Sequence, residues 1–225
     1  MSLTGGYGHL VTALAAFLIA HSLTNVRSLR EAAMAAFGKR GFYGGYSVLS
    51  SVLLVWVVAA AIHAPIVQLW PQLPWMRWAP SLAMPIACLL AVAGMTVPNP
   101  FSIGPGGKSF DPKRPGILRL TRHPMIWALG LWSGAHLIPN GTVAGVLLFL
   151  PLFILCLLGP RILDAKRRRQ LGEEVWQGLA MPLSGSLDWR ALAMELGPWR
   201  LMAGLALPPI LMALHPLVIG LSPYP

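Results

Sequence analysis

Long apolar stretches separated by short polar ones dominate this chain. Each stretch is close to the roughly 17–25 residues that an α-helix needs to cross a bilayer. The alternating pattern that membrane-spanning strands show is absent. Lipid requires the backbone groups of a spanning segment to be satisfied internally, so the pattern predicts an all-α integral membrane protein, a bundle of about six transmembrane helices. The six stretches are Gly8–Thr24, Tyr43–His63, Pro80–Val97, Leu120–Ile138, Thr142–Leu163 and Leu201–Ile219.

The composition agrees with a membrane location. Apolar residues make up 56% of the chain and charged residues 11%, against roughly 45–50% and about 25% in soluble domains. No repeat, low-complexity tract or linker divides the sequence, which predicts a single transmembrane domain over residues 1–225. The longest polar loop, residues 164–197, is predicted to be an amphipathic segment lying on the cytoplasmic membrane surface.

The net charge of +10 follows the topology. All but Arg77 of the 17 Lys and Arg residues lie in or beside the loops after the first, third and fifth stretches. This asymmetry is the positive-inside pattern, which predicts a bacterial-type inner-membrane protein with three cytoplasmic basic loops and both termini in the periplasm. Membrane lipids with anionic headgroups are therefore the expected partners of the basic residues, and nucleic acid is not.

Histidine is the remaining candidate for chemistry inside the membrane. All seven acidic residues fall in the predicted cytoplasmic loops, which disfavours an ion-coupled transporter. A buried imidazole is costly unless it is hydrogen-bonded or bound to a metal. Three histidines at the outer ends of spans are assigned to hydrogen bonding at the interface, whereas His21 and His136 lie within wider polar motifs. The three at the outer ends are His9, His63 and His215.

Five motifs in order along the chain resemble those of the NnrU family. The resemblance covers about the first three-quarters of the chain, and it implies a role in bacterial nitrite and nitric oxide metabolism. The family is similar to the plant 15-cis-zeta-carotene isomerase, which implies as an alternative cis–trans isomerisation of a polyene. The motifs are Ala20-His21-Ser22-Leu23-Thr24-Asn25-Val26-Arg27-Ser28-Leu29-Arg30, Pro98-Asn99-Pro100-Phe101-Ser102, Thr121-Arg122-His123-Pro124-Met125-Ile126-Trp127, Leu131-Trp132-Ser133-Gly134-Ala135-His136-Leu137 and Asn140-Gly141.

The resemblance to the isomerase implies haem b as a cofactor, with His21 and His136 at the positions of its axial ligands. Partners implied in this way are an apolar polyene substrate or respiratory membrane proteins. Ser133 stands where the isomerase has a cysteine, so ligand exchange with a thiol is not available here. The predicted topology puts His21 near the cytoplasmic face and His136 near the periplasmic face, about 20 Å apart in depth. His123 shares the depth of His21, so the second ligand is either His136 or His123.

Arg122-His123-Pro124 also resembles a motif of the isoprenylcysteine and phospholipid methyltransferases, where it stands beside the S-adenosylmethionine site. A later set of residues echoes a second segment of those enzymes, although its paired acids are reduced to one and a tryptophan replaces a tyrosine. Donors at a helix start suit a carboxylate or a phosphate. The alternative is that Arg122 reaches lipid phosphates and His123 bonds a loop. The later set is Asp164, Gly172, Trp176 and Pro182.

Two further expectations concern the surroundings of these residues. Trp127 and Trp132 lie within the fourth stretch, where they either wall a flat porphyrin or polyene or serve in core packing. The Pro- and Gly-rich loop over residues 98–115 is too irregular to face lipid, so it is expected to fold over the cytoplasmic mouth of the bundle. The sequence thus leaves three functions open: a haem protein, a methyltransferase-like enzyme, and a non-catalytic membrane scaffold.

Overall fold

A computed structural model describes residues 6–23, 26–183, 185 and 187–224, without the side chains of Arg27 and Lys39. Thr24 and Asn25 of the first motif therefore lie outside the described residues. The described chain is helical and contains no strand, apart from one isolated bridge between Gln68 and Thr142.

Seven α-helices follow one another along the described chain. Two of them break at a glycine with a positive φ, which an L side chain adopts only with strain: Gly38 (φ 67°) interrupts α2 and Gly197 (φ 74°) interrupts α7. The helices are α1 (Tyr7–Leu23), α2 (Arg27–Ile62), α3 (Trp78–Thr96), α4 (Pro124–Leu137), α5 (Val143–Leu171), α6 (Glu173–Ala180) and α7 (Trp189–Ile219).

The predicted all-α membrane fold is confirmed, but the number six is not. Among the described residues, four helical segments are long and apolar enough to cross a membrane, and a bent pair, Tyr7–Leu23 with Ser28–Gly38, would add a fifth. Helix α4 has 14 residues, which reach about 21 Å and fall short of a hydrocarbon core of about 30 Å. The four segments are Arg40–Ile62, Pro74–Thr96, Val143–Leu171 and Trp189–Ile219.

The chain divides into two compact units, of which the first comprises Met1–Pro71 and Gly141–Leu148. Helix α1 packs against α2 there, and Leu10 and Val57 are buried. The carbonyl of Gly141 accepts hydrogen bonds from two backbone N–H groups of the segment after α2.

The second unit comprises Gln72–Asn140 and Phe149–Pro225, and α3 packs against both α4 and α7 in it. A Cβ added at Gly94 would lie 2.9 Å from the backbone nitrogen of Met125, so α3 passes the start of α4 closely. The core also takes Phe101 and Ile117 from the segment between α3 and α4, and Trp176 from α6. The segment before α4 and the segment after α5 are therefore held in place by buried side chains.

Residues 164–197 include the end of α5, the whole of α6 and the start of α7. Trp176 and Leu192 from this range are buried in the core of the second unit, whereas Trp189 is exposed. The carboxylate of Glu195 accepts a 2.6 Å bond from Arg119 and a 2.8 Å bond from the backbone N–H of Gly116. The start of α7 is thus fastened to the turn that precedes α4.

Candidate functional site

Arg122 and His123 stand directly before α4, whose first residue is Pro124. Proline suits this position because its fixed φ matches a helix and its missing N–H would have no intrahelical partner. The backbone N–H of His123 donates to the hydroxyl of Thr121 (3.1 Å), and its carbonyl accepts the first helical bond of α4 from Trp127 (3.1 Å). The local sequence therefore fixes both side chains at the helix start.

The carboxylate of Asp164, near the end of α5, binds both residues. Nε2 of His123 donates to Oδ1 (3.0 Å), and a terminal nitrogen of Arg122 donates to Oδ2 (2.7 Å). The side chain of His123 is only 3% exposed. Burial lowers the pKa of His123 below its usual range, and the Asp164 carboxylate opposes this effect only partly. His123 is therefore a neutral imidazole near pH 7, with its hydrogen on the nitrogen that faces the acid.

Asn99 connects the loop after α3 to the same place. Its side-chain nitrogen donates to the carbonyl of Arg122 (2.9 Å), while its side-chain oxygen accepts from the backbone N–H groups of Phe101 (2.8 Å) and Ser102 (3.1 Å). Asn99 is 1% exposed, so every one of these bonds is made away from solvent. This residue holds the Pro- and Gly-rich loop against the start of α4.

Trp176 covers the cluster from α6. The guanidinium carbon of Arg168 lies 3.9 Å from the centroid of its ring, and that of Arg122 lies 5.5 Å away. The ring of Phe101 meets the indole edge-on, with centroids 6.3 Å apart. Gly172 (φ 84°) begins α6 in a backbone conformation that favours glycine. Guanidiniums close to an indole make cation–π contacts, which gain strength with burial.

Four buried polar atoms of this cluster have no hydrogen-bond partner in the protein: Oγ of Ser102, Nε of Arg122, Nδ1 of His123 and Nε1 of Trp176. The only other such side-chain atom in the described ranges is Nε of Arg167. Each unsatisfied atom costs about 1–3 kcal/mol, so buried polar groups are normally paired. We call this cluster the Arg–His site; its residues are Asn99, Ser102, Arg122, His123, Asp164, Arg168 and Trp176.

The other predicted residues lie elsewhere. Along the axis of α4, His136 lies about 20 Å and Trp132 about 14 Å from His123. His123 and His136 therefore cannot bind one iron, and Trp132 contacts His136 and Phe149 instead of the Arg–His site. At His123, Asp164 engages Nε2, so only Nδ1 could bind a metal there. His21 belongs to the first unit, whereas the Arg–His site and His136 belong to the second.

His21 and His136 share one arrangement. Nδ1 of His21 donates to the carbonyl of Phe17 (2.8 Å), and Nδ1 of His136 donates to that of Trp132 (2.8 Å). In both, Nε2 then carries the lone pair, which for His21 faces the hydroxyl of Ser50 at 3.2 Å. The His136 ring packs in an aromatic cluster with Trp132 (5.8 Å) and Phe149 (5.6 Å). Within the ranges that the structure describes, no three His, Cys, Asp or Glu side chains are placed to hold a metal ion.

Three members of the Arg–His site were not assigned a role from the sequence. Arg168 sits in a basic run and carried no individual signal, and Ser102 follows a loop motif in which any serine is ordinary. Asn99 offered one usable signal, since an amide between two prolines in an apolar context needs a specific hydrogen-bond partner.

Comparison with known proteins gives one match. The family model described as NnrU protein matches residues 9–223, nearly the whole chain. No curated protein and no solved structure matches it. The protein therefore belongs to the NnrU family.

Proposed function

We propose that this membrane protein binds an anionic ligand at the Arg–His site and that it is a methyltransferase-like enzyme using S-adenosylmethionine. The observation that supports this is the meeting of Arg122 and His123 with Asp164 and Trp176, more than 40 residues further along the chain. These are the residues on which the resemblance to membrane methyltransferases rests. S-adenosylmethionine ends in a carboxylate, which can accept hydrogen bonds from the unpaired donors of the site.

The unpaired donors of the site favour an acid. Two guanidiniums, of Arg122 and Arg168, are close to the indole of Trp176. Asp164 binds the first, and the exposed Glu173 lies 3.9 Å from the second. The start of α4 adds the positive end of a helix dipole. An incoming carboxylate would accept hydrogen bonds from Nε of Arg122 and Nε1 of Trp176, which have no partner in the protein.

Isothermal titration of the detergent-purified chain with S-adenosylmethionine tests this proposal. We expect saturable binding that Arg122→Ala weakens tenfold or more, because a hydrogen bond to a charged group contributes about 1.5–3 kcal/mol. The matched control is Arg161→Ala, which removes an exposed arginine and should leave the affinity unchanged. Folded wild-type protein that does not bind the compound would contradict the proposal.

The positive-inside pattern further assigns the site to the cytoplasmic side, with both termini in the periplasm. Single cysteines introduced at Arg40, Lys113 and Arg168 should react with a membrane-impermeant maleimide only after the membrane is opened. The two native cysteines, Cys88 and Cys156, are buried and give a low background. Labelling of any of the three positions in intact cells would reverse this topology.

A second candidate function is haem b binding in support of nitrite and nitric oxide metabolism or of polyene isomerisation. The donor set can hold haem, since a carbonyl holds Nδ1 of both His21 and His136 and so orients each ring for a metal at Nε2; at His21, iron would replace the hydroxyl of Ser50 that meets Nε2 at 3.2 Å. His63 makes the same bond while exposed, so the aromatic packing of His21 and His136 carries more of the argument than the bond. Bound haem would supply the one-electron chemistry that nitrogen oxides require.

A cavity formed by α1 and the first half of α2 favours the same candidate; Ala20, the neighbour of His21, lines it, whereas His21 itself does not. Its volume is about 540 Å³, within the roughly 300–1,000 Å³ of small-molecule sites. Its lining is apolar apart from a few groups that include Arg30 and Tyr46, and the Tyr46 ring contacts that of His21 at 5.5 Å. Arg30 is suited to pair with a porphyrin carboxylate, while the apolar lining suits the macrocycle.

Absorption spectra separate the two candidates. If haem is bound through His21, the purified protein has a Soret band that His21→Ala abolishes, because a methyl group cannot bind iron. His136→Ala should do the same if His136 is the second ligand. His63→Ala and His215→Ala are the controls and should retain the band. Full haem occupancy in His21→Ala would contradict haem binding through His21.

A further inference from the structure

The four buried atoms of the Arg–His site that have no partner differ in whether they donate or accept hydrogen bonds. Nε of Arg122 and Nε1 of Trp176 carry hydrogens and can only donate. The hydroxyl of Ser102 can donate or accept. Nδ1 of His123 is the exception, because its character depends on the hydrogen bond that the other ring nitrogen makes.

The hydrogen bond between Nε2 of His123 and Asp164 fixes Nδ1 of the same ring as an acceptor. Asp164 accepts a hydrogen bond from the Arg122 guanidinium through one carboxylate oxygen and faces Nε2 of His123 with the other, so Nε2 carries the hydrogen. Burial keeps the ring neutral, which leaves a lone pair on Nδ1. The charged groups that face this ring are Asp164 from α5 and Arg122 beside it. Asp164 is thus a positioning residue that sets the tautomer of its neighbour.

We infer that the Arg–His site recognises a head group in which an acid is flanked by an N–H or O–H donor, with the donor bonded to Nδ1 of His123. This deepens the function proposed above and rests on it. An acid alone would satisfy Arg122 and Trp176 but would leave the imidazole lone pair buried without a partner. An α-amino acid and an ethanolamine phosphate both have the required combination.

Matched probes test the donor requirement in the full-length protein. One arm compares S-adenosylhomocysteine with its analogue lacking the amino group, and the other compares dihexanoyl phosphatidylethanolamine with dihexanoyl phosphatidylcholine, whose ammonium has no N–H. We expect the donor-bearing member of at least one pair to bind tenfold or more tightly. Preference in the first arm indicates a soluble amino-acid ligand, and preference in the second a lipid headgroup.

Two substitutions of His123 then test whether its Nδ1 accepts the hydrogen bond from the ligand's donor. In His123→Asn the side-chain oxygen stands close to where Nδ1 stood, so the preference should persist. In His123→Gln the longer amide can still donate to Asp164 but offers no acceptor at Nδ1, so the preference should fall to about twofold or less. Nitrogen-15 spectra of histidine-labelled protein at pH 8 should independently show an unprotonated Nδ1 at His123.

The outcomes separate this inference from the function on which it rests. Equal binding of both members of each pair would overturn the donor requirement while leaving an anion site in place. Failure of every probe to bind folded protein would overturn both. A spectrum with hydrogen on Nδ1 of His123 would overturn the assignment of the acceptor, whatever the probes do.

Discussion

The helices of the first unit and the polar end of the second satisfy their polar side chains in different ways. In the first unit, Ser22, Ser47 and Ser51 each donate to the carbonyl four residues earlier in their own helix, and single contacts such as Ser50 with His21 join the two helices. At the polar end of the second, bonds join residues between 23 and 104 positions apart, from Asn99 with Arg122 to Thr96 with Arg200. Local bonding lets a helix carry polar groups at little cost. A long-range network is costly to bury and points to a function.

The largest effect should come from removing the acid at the centre of that network. Asp164→Ala leaves the buried His123 and the Arg122 guanidinium without their shared partner, and we expect it to lower the free energy of unfolding by about 2–4 kcal/mol. Thermal denaturation in detergent measures this loss. Asp111→Ala is the control, because Asp111 is exposed and its carboxylate accepts a local bond from the backbone N–H of Lys113. A similar Tm change in both variants would mean that the network adds no stability.

Two glycine-to-alanine substitutions, one in each unit, should have smaller and opposite effects on stability. Gly94→Ala places a Cβ 2.9 Å from the backbone of Met125, and the displaced α4 should cost about 1–3 kcal/mol. Gly44→Ala in α2 meets nothing within 4 Å and should stabilise its helix by about 0.5–1 kcal/mol. Thermal denaturation should therefore shift in opposite directions. A Gly94→Ala variant as stable as the wild type would show that α3 and α4 are not closely packed at this point.

The smallest effect concerns pH. The pKa of His123 is lowered by burial in the folded protein, so the unfolded chain binds its proton first as the pH falls. The stability that comes from keeping this ring neutral is complete above the unfolded pKa of about 6.5 and is lost as pH falls through the folded pKa. The Tm should therefore decline less between pH 7.5 and pH 5 in His123→Gln than in wild type. His63→Gln, at an exposed position, should follow the wild-type profile.

The sequence predicts those parts of the fold that depend on one helix at a time. The stretch Tyr43–His63 corresponds to the segment Arg40–Ile62, and Pro80–Val97 corresponds to α3, because apolar length alone marks a span. The predicted stretch Leu120–Ile138 is longer than the helix, since Leu120 follows a short 3-10 turn and α4 begins only at Pro124. The start of α7 at Trp189 was missed because Gly197 breaks the helix within a polar segment.

The candidate site was predictable only in part. Arg122 and His123 were identified because the helix-starting Arg-His-Pro motif lies within a few residues, and Asp164 and Trp176 entered only through a degenerate resemblance. The contacts of Asn99 and Arg168 depend on which loop folds onto which helix. No local periodicity encodes that information, so sequence patterns could not place these two residues in the site.

The pairing of Arg122 with a residue 42 positions later in the chain also constrains how the protein is made. The guanidinium leaves the ribosome well before Asp164 does, so α4 reaches the membrane while its arginine has no internal partner. Water and lipid phosphates at the membrane surface can solvate the charge during that interval, which a position deep in hydrocarbon would not allow. A nascent chain that stops before the end of α5 would keep this arginine exposed, and would give the cell's quality-control machinery a feature by which to recognise incomplete protein.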